Sequence, residues 1–163
     1  MLYPAQLYKE ELKRKLIGCW YQPEYDWYFL GEYREFTIPD NTDWRRDFVH
    51  LNNDGEVDGF FSYHYDTLAQ SLSQFGLVAF SSNKRHRGLF VKDCLSHIES
   101  LINKGVRRIE WWAIADNPVN KTYEKLIHQY GGSVVGYLHE CNYFEGKYHD
   151  TIVYEILFNK KGE

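Results

Sequence analysis

Apolar residues recur at helical spacing near the N-terminus. Ala5, Tyr8, Leu12 and Leu16 fall on one face, and Gly18 is placed to stop a helix. No strand is predicted ahead of it. Residues 19–46 are aromatic and interrupted by Pro23, Gly31 and Pro39, a pattern that suggests a short helix and then a short strand. Residues 48–51 and 57–65 read as two strands, and Asn52-Asn53-Asp54-Gly55-Glu56 between them has the turn chemistry of a hairpin.

The second half has clearer periods. Residues 74–80 (QFGLVAF) form a short apolar run that reads as a buried strand, followed by a polar loop at 81–84. Val91, Cys94, Leu95, Ile98, Leu101 and Ile102 then repeat every three or four residues, and Gly105 ends that helix. Residues 108–114 read as a strand. Asp116-Asn117-Pro118 starts another helix with proline in its first turn; Tyr123, Leu126, Ile127 and Tyr130 line one face, and Gly131-Gly132 stops it. Two last strands, 133–141 and 148–157, flank a turn near Glu145-Gly146. The strand–helix–strand unit at 74–114 requires a parallel pair with a right-handed crossover. The other strands are expected to be antiparallel. The fold class is therefore α/β (α+β): a mixed, mostly antiparallel sheet with helices on both faces, in one domain over residues 1–163.

Composition narrows the function. The chain has 163 residues, 44% of them hydrophobic and 26% charged, as expected for one globular domain. Fourteen tyrosines and five tryptophans suit a pocket wall as well as a core. A net charge of −4 argues against a broadly basic nucleic-acid binder. Cys19, Cys94 and Cys141 lack metal-ligand or disulfide spacing, so no metal is expected and a reducing compartment fits. The N-terminus turns charged too early for a secretory segment, and no apolar stretch approaches the ~20 residues that span a bilayer. The expectation is a soluble cytoplasmic monomer or homodimer with no nucleic-acid or membrane partner.

The chemistry concentrates at Lys84-Arg85-His86-Arg87-Gly88-Leu89-Phe90, where a strand gives way to a helix. Cations, a glycine and the unpaired amides of a helix start suit a phosphate or pyrophosphate, although a solvated basic turn has the same composition. Arg85-His86-Arg87-Gly88 resembles the start of the acetyl-CoA signature of the GNAT N-acetyltransferases, Arg/Gln-x-x-Gly-x-Gly/Ala. Asp116-Asn117-Pro118, Tyr123-Glu124-Lys125-Leu126 and Gly131-Gly132 resemble that family's later helix. Residues 145–150 and Tyr154-Glu155-Ile156 are similar to its last hairpin. The resemblance covers about residues 48–157. It departs from the family at Phe90, where glycine or alanine is usual, and in a stretch from Asn117 to Gly131 that is longer by about one helical turn.

The resemblance implies that acetyl-CoA lies in a splay between the strands at 74–80 and 108–114. Backbone groups of Val78, Ala79 and Phe80 would pair with the pantetheine arm, and one central-strand amide would stabilise the oxyanion. Arg85, His86, Arg87 and the amides of Gly88 and Leu89 would hold the pyrophosphate, with Asn117 and Tyr123 also at the cofactor. Tyr123 is the expected acid toward sulfur, with Tyr130 as its alternative; either tyrosine equally suits the core. The strand 74–80 carries no carboxylate, which leaves Glu110 and His64 as candidate bases. Glu110 equally suits a pair with Arg108, and His64 a structural role. Adjacent strand residues point to opposite faces, which argues against a His149–Asp150 dyad. The acidic and aromatic residues Trp20, Tyr21, Glu24, Tyr25, Asp26 and Trp27 could receive a cationic amine or pack helix onto sheet. The expected function is N-acetylation of a primary amine on a small molecule, peptide or protein, by direct attack in a ternary complex. A domain that holds acyl-CoA without turnover, and an aromatic-rich interaction module, are the alternatives.

Overall fold

The computed structural model describes residues 1–20, 22–25, 27, 37–42 and 44–158. The short helix and strand expected in 19–46 fall mostly outside these residues; within them, Pro23–Tyr25 form one 3-10 turn. The chain opens with a strand that the pattern does not announce, β1 (Leu2–Pro4), paired antiparallel to β2 (Arg45–Leu51) with Leu2 opposite His50. Three residues are too few to show alternation, and proline is tolerated there because β1 is the sheet's edge. A 3-10 turn (Ala5–Tyr8) leads into α1 (Lys9–Gly18), with Glu10 and Glu11 in the first turn, where the helix dipole favours anions.

Strand β2 pairs with β3 (Val57–Asp66) through the expected hairpin. Its turn is closed by the Asn52 side chain, which accepts from the amides of Asp54 and Glu56 at 2.9 and 3.0 Å. Strand β4 (Ser71–Ala79) begins three residues before the apolar run, and α2 (Lys84–Asn103), β5 (Arg108–Ile114), α3 (Asn120–Tyr130), β6 (Ser133–Phe144) and β7 (Lys147–Leu157) follow. Among the described residues the sheet order is β1-β2-β3-β4-β5-β7-β6, with β4–β5 the one parallel pair. This is the expected mixed sheet.

Helices cover both faces. Leu12 and Leu16 of α1 pack with Val49, Val57, Phe60 and Val78 on one side. On the other, Phe90 and Cys94 of α2 meet Phe61, Leu72, Ile109, Trp111 and Tyr154, and Tyr123, Leu126 and Ile127 of α3 join them. The start and end of α3 fix where its side chains fall. Gly131 closes it with φ +69, a conformation open to glycine at little cost. A side chain at Gly132 would run into the Glu155 carbonyl and stand 2.6 Å from Ile156 Cγ1. No helix among the described residues is long and apolar enough to cross a membrane.

Candidate active site

The parallel pair at the centre of the sheet comes apart. Strands β4 and β5 are in register only at Ser71–Arg108 and Leu72–Ile109. Beyond that point β4 stays paired with β3 as far as Ala79, and β5 with β7 as far as Ile114, so their facing edges diverge. A bulge sits where they part. Gln74 takes φ +51, and Gln74 and Phe75 together oppose Tyr63. Such an insertion bends and twists its strand, which turns β4 away from β5.

The ladder with β3 sets which β4 groups enter the gap. The Phe80 amide donates to the Asp58 carbonyl at 2.9 Å. In an antiparallel ladder alternate residues turn their N–H and C=O toward the same neighbour. Val78 and Phe80 therefore face β3, and Leu77 and Ala79 face the gap. This revises the sequence expectation, since Ala79 faces the opening whereas the Val78 and Phe80 amides are directed to β3. The phenol of Tyr25 lies at the same mouth, donating to the Ala79 and Phe80 carbonyls at 3.3 and 3.4 Å.

The basic segment lies inside the first turns of α2 rather than in a loop before it. Asn83 caps the helix, its side chain accepting from the Arg85 amide at 2.8 Å and its carbonyl from the Arg87 amide at 3.0 Å. The Gly88 and Leu89 amides are then interior to the helix and bonded within it, so they are not available to an anion. The Lys84 and His86 amides, one turn earlier, are the ones without a helical partner. The side chains of Lys84, Arg85 and Arg87 are exposed, and Arg87 reaches the Ser82 carbonyl at 3.4 Å. At Gly88 the space a side chain would take is open. Phe90, the departure from the signature, points into the core, where its ring would stand 2.7 Å from a side chain at Gly59.

The remaining candidates separate by position. Tyr123 packs edge-on against Trp111 and Tyr154, with both centroids at 5.7 Å, level with the parted stretch of β5. Tyr130 stands at the closed end, edge-on to Phe158 and donating to Glu99 at 3.4 Å, too far along α3 to serve the opening. Glu110 is bound to Arg108 at 2.6 Å, and Arg108 also binds Glu155 at 2.6 Å. Glu110 and Glu155 oppose each other across β5 and β7, so Arg108 is the cation that makes their adjacency tolerable. His64 pairs in register with Arg45 and Ser73 near the closed end, edge-on to Trp44 at 4.8 Å. Burial, then the charge of Arg45, holds its imidazole below the usual range. Asn117 turns its side chain back to accept from the Val119 amide at 3.0 Å, fixing the turn before α3. His86 lies 4.0 Å from Asp58 across a cavity of about 160 Å³ lined also by His50 and Asp93.

Sequence reading passes over two polar arrangements near the mouth. Asn120 is buried, donating to the Ile114 and Ala115 carbonyls at 2.7 and 2.8 Å and accepting from Tyr154 Oη at 3.1 Å, so it pins the start of α3 to the end of β5. His149 on β7 is 3% exposed, and its Nδ1 lies 3.0 Å from Asp116 Oδ2 in the turn after β5. Lys147, also bound to that carboxylate, and then His149 hold Asp116 below the ordinary carboxylate range. Phe144 stacks on the imidazole at 4.0 Å, and Trp27 lies 6.2 Å from it at 82°. Asp150 instead binds His139 at 3.1 Å, as strand alternation requires. In the sequence His149 stands next to Asp150, which draws the eye to the wrong carboxylate. The partner of His149 is 33 residues away.

No protein-family model and no curated protein sequence matches the chain. Solved structures do. An N-acetyltransferase from Staphylococcus aureus superposes with a TM-score of 0.67 at 18% identity, covering 96% of this chain and 97% of the other. A spermidine/spermine N-acetyltransferase from Vibrio cholerae gives 0.63 at 18% identity over 96% and 91%. A probable acetyltransferase of the GNAT family from Chromobacterium violaceum gives 0.63 at 17% identity over 96% and 86%. With the sheet order, the parted parallel strands and the helix start beside them, these likenesses show that the chain has the GNAT acetyltransferase fold.

Proposed function

We propose that the chain is an acetyl-CoA-dependent N-acetyltransferase that acetylates a primary amine by direct attack in a ternary complex. The observation that carries this is the parted β4–β5 edge, with Leu77 and Ala79 turned into the gap and the basic start of α2 next to it. The residues present fit the co-substrate. An amide-bearing arm pairs with an open strand edge as an added strand does. The Lys84 and His86 amides, with the Lys84, Arg85 and Arg87 side chains, suit a pyrophosphate, and open space at Gly88 admits one closely. When bound, acetyl-CoA would supply a thioester-activated acetyl group.

The chain's own residues then have distinct tasks. Leu77 and Ala79 hold the arm in line, and an amide facing the gap stabilises negative charge on the acyl oxygen. Tyr123, level with the gap, gives a proton to the departing sulfur. Tyr25 and Trp27 wall the mouth from which the amine enters. Two features favour a cationic alkylamine: the aromatic wall and the likeness to a spermidine/spermine enzyme.

Thiol release from acetyl-CoA, followed with a chromogenic disulfide against a panel of polyamines, aminoglycosides and peptides, tests the proposal. Release that depends on both acetyl-CoA and one amine class is expected. Bound acetyl-CoA with no amine-dependent release across the panel would instead establish a domain that holds acyl-CoA without turnover.

A further inference from the structure

Two buried side-chain nitrogens among the described residues have no hydrogen-bond partner, Trp111 Nε1 and His149 Nε2. An indole nitrogen only donates, whereas an imidazole whose Nδ1–H is directed at a carboxylate leaves a lone pair on Nε2. His149 is so arranged, with Asp116 on Nδ1 and nothing on Nε2. A histidine retained only to tie strands together would have both nitrogens engaged, because an unmet polar atom in the interior destabilises the fold. The cost is accepted at a particular place. His149 stands beside Asp116, immediately after the end of β5, where the parallel strands are farthest apart.

Two described aromatic residues from between α1 and β2 stand at that same opening. Tyr25 reaches the end of β4 on one side, and Trp27 lies nearly perpendicular to the stacked Phe144 and His149 rings on the other. Phe144 and Asp116 are held by the β5–β7–β6 part of the sheet. Trp27 comes from outside the sheet and stands against the Phe144 ring at 5.2 Å. Among the described residues, the charged groups facing the imidazole are Asp116 and, through the same carboxylate, Lys147. Phe144 at the end of β6 and Trp27 present aromatic rings.

We infer that His149 is the proton acceptor for the amine substrate, with Asp116 as its positioning residue, taking the task for which Glu110 and His64 stand in the wrong place. The inference rests on the acetyltransferase reading above. An alkylammonium gives one proton to the Nε2 lone pair, and the imidazolium formed is stabilised by Asp116. The freed nitrogen lone pair makes the N–C bond to the acyl carbon while the C–S electron pair leaves with sulfur. Tyr123 gives its proton to the departing sulfur, and the second nitrogen proton passes to the phenolate so formed, which gives amide and thiol and restores Tyr123. His149 then releases its proton to water.

The first test is imidazole nitrogen NMR of the parent protein. A bare Nε2 with a protonated Nδ1 is expected, with ring signals that move when a substrate amine is added. An Nε2-protonated tautomer would overturn the inference without any mutation. The second test compares His149→Gln and Asp116→Asn with the parent. His149→Gln is expected to lower kcat at least ~100-fold, the lower range for a lost acid–base group, while keeping the thermal shift with acetyl-CoA. Asp116→Asn is expected to displace the acidic limb of the pH–rate profile. An intact acetyl-CoA shift with parental turnover and pH profile in His149→Gln would overturn this inference alone. No acetyl-CoA shift in the parent would overturn the acetyltransferase reading, and this inference with it.

Discussion

Replacing Asn120 by alanine tests how the start of α3 is held. The side chain is 7% exposed and makes three hydrogen bonds, to the Ile114 and Ala115 carbonyls and from the Tyr154 hydroxyl. Each such bond contributes ~1 kcal/mol net, and a buried group left without a partner costs ~1–3 kcal/mol. Tyr154 is fully buried, and burial, then the charge of Glu124, pushes its phenol up to about 12, so it must donate a proton at any working pH. Asn120→Ala strands that hydroxyl and is expected to cost about 2–4 kcal/mol. At ~2–4 °C per kcal/mol for a chain of this size, Tm falls by roughly 5–15 °C. Denaturant unfolding of parent, Asn120→Ala, Tyr154→Phe and the double variant measures it. Tyr154→Phe alone should cost ~1 kcal/mol, and the double variant less than the sum, because the stranded hydroxyl is gone. Asn120→Asp should be no better than alanine, since it sets an oxygen against two carbonyls. If Asn120→Ala unfolds within about 2 °C of the parent, the anchoring argument is wrong.

Further expectations concern packing, pH and catalysis. Gly59→Ala should cost ~1–3 kcal/mol by forcing its methyl against the Phe90 ring, and adding Phe90→Leu should restore part of the loss in the same unfolding assay. Burial, then Lys104, holds His97 below its usual 6.5, and its Nε2 lies 2.9 Å from Tyr63 Oη, a phenol that burial pushes up to about 12. Below pH 6.5 the unfolded chain binds the proton that the folded chain resists. The stability from this group is therefore complete above 6.5 and is lost as pH falls through the lower folded value, with His64 acting in the same direction. His97→Phe should flatten the fall of Tm as pH drops below 6.5. Tyr123→Phe should lower kcat by ~100-fold or more with acetyl-CoA binding retained, and equal kcat values would remove Tyr123 from the chemistry.

The sequence pattern conveys most of the architecture because the helices and long strands repeat their apolar residues at distinct periods. Leu12 and Leu16, and the face from Tyr123 to Tyr130, are buried or half-buried as those periods require. What the pattern misses depends on pairing. Strand β1 is visible only through its partner β2, and the Gln74 bulge exists only because β4 meets β3 out of step by one residue. The phase of that ladder, set by one Phe80–Asp58 bond, moves the gap-facing groups from Val78 and Phe80 to Leu77 and Ala79. The Lys84–Gly88 segment is legible as an anion site, but not which amides remain free, since the Asn83 cap starts the helix earlier than the polar run suggests. Asn120 and the Asp116–His149 pair escape because their partners lie far along the chain or on the backbone. Periodicity reports faces, not distances.

Thermal unfolding with and without acetyl-CoA, in the parent and in the Arg85→Ala/Arg87→Ala variant, asks whether the parted strands and the start of α2 hold the co-substrate. At ~100 times its dissociation constant a ligand of the folded state stabilises by about 2.7 kcal/mol, close to 5–10 °C for a chain of this length. That shift is expected in the parent and is expected to vanish in the variant, with the two unfolding alike when no ligand is present. An unshifted parent at millimolar acetyl-CoA would contradict such binding, leaving the fold of an acetyltransferase without the chemistry of one.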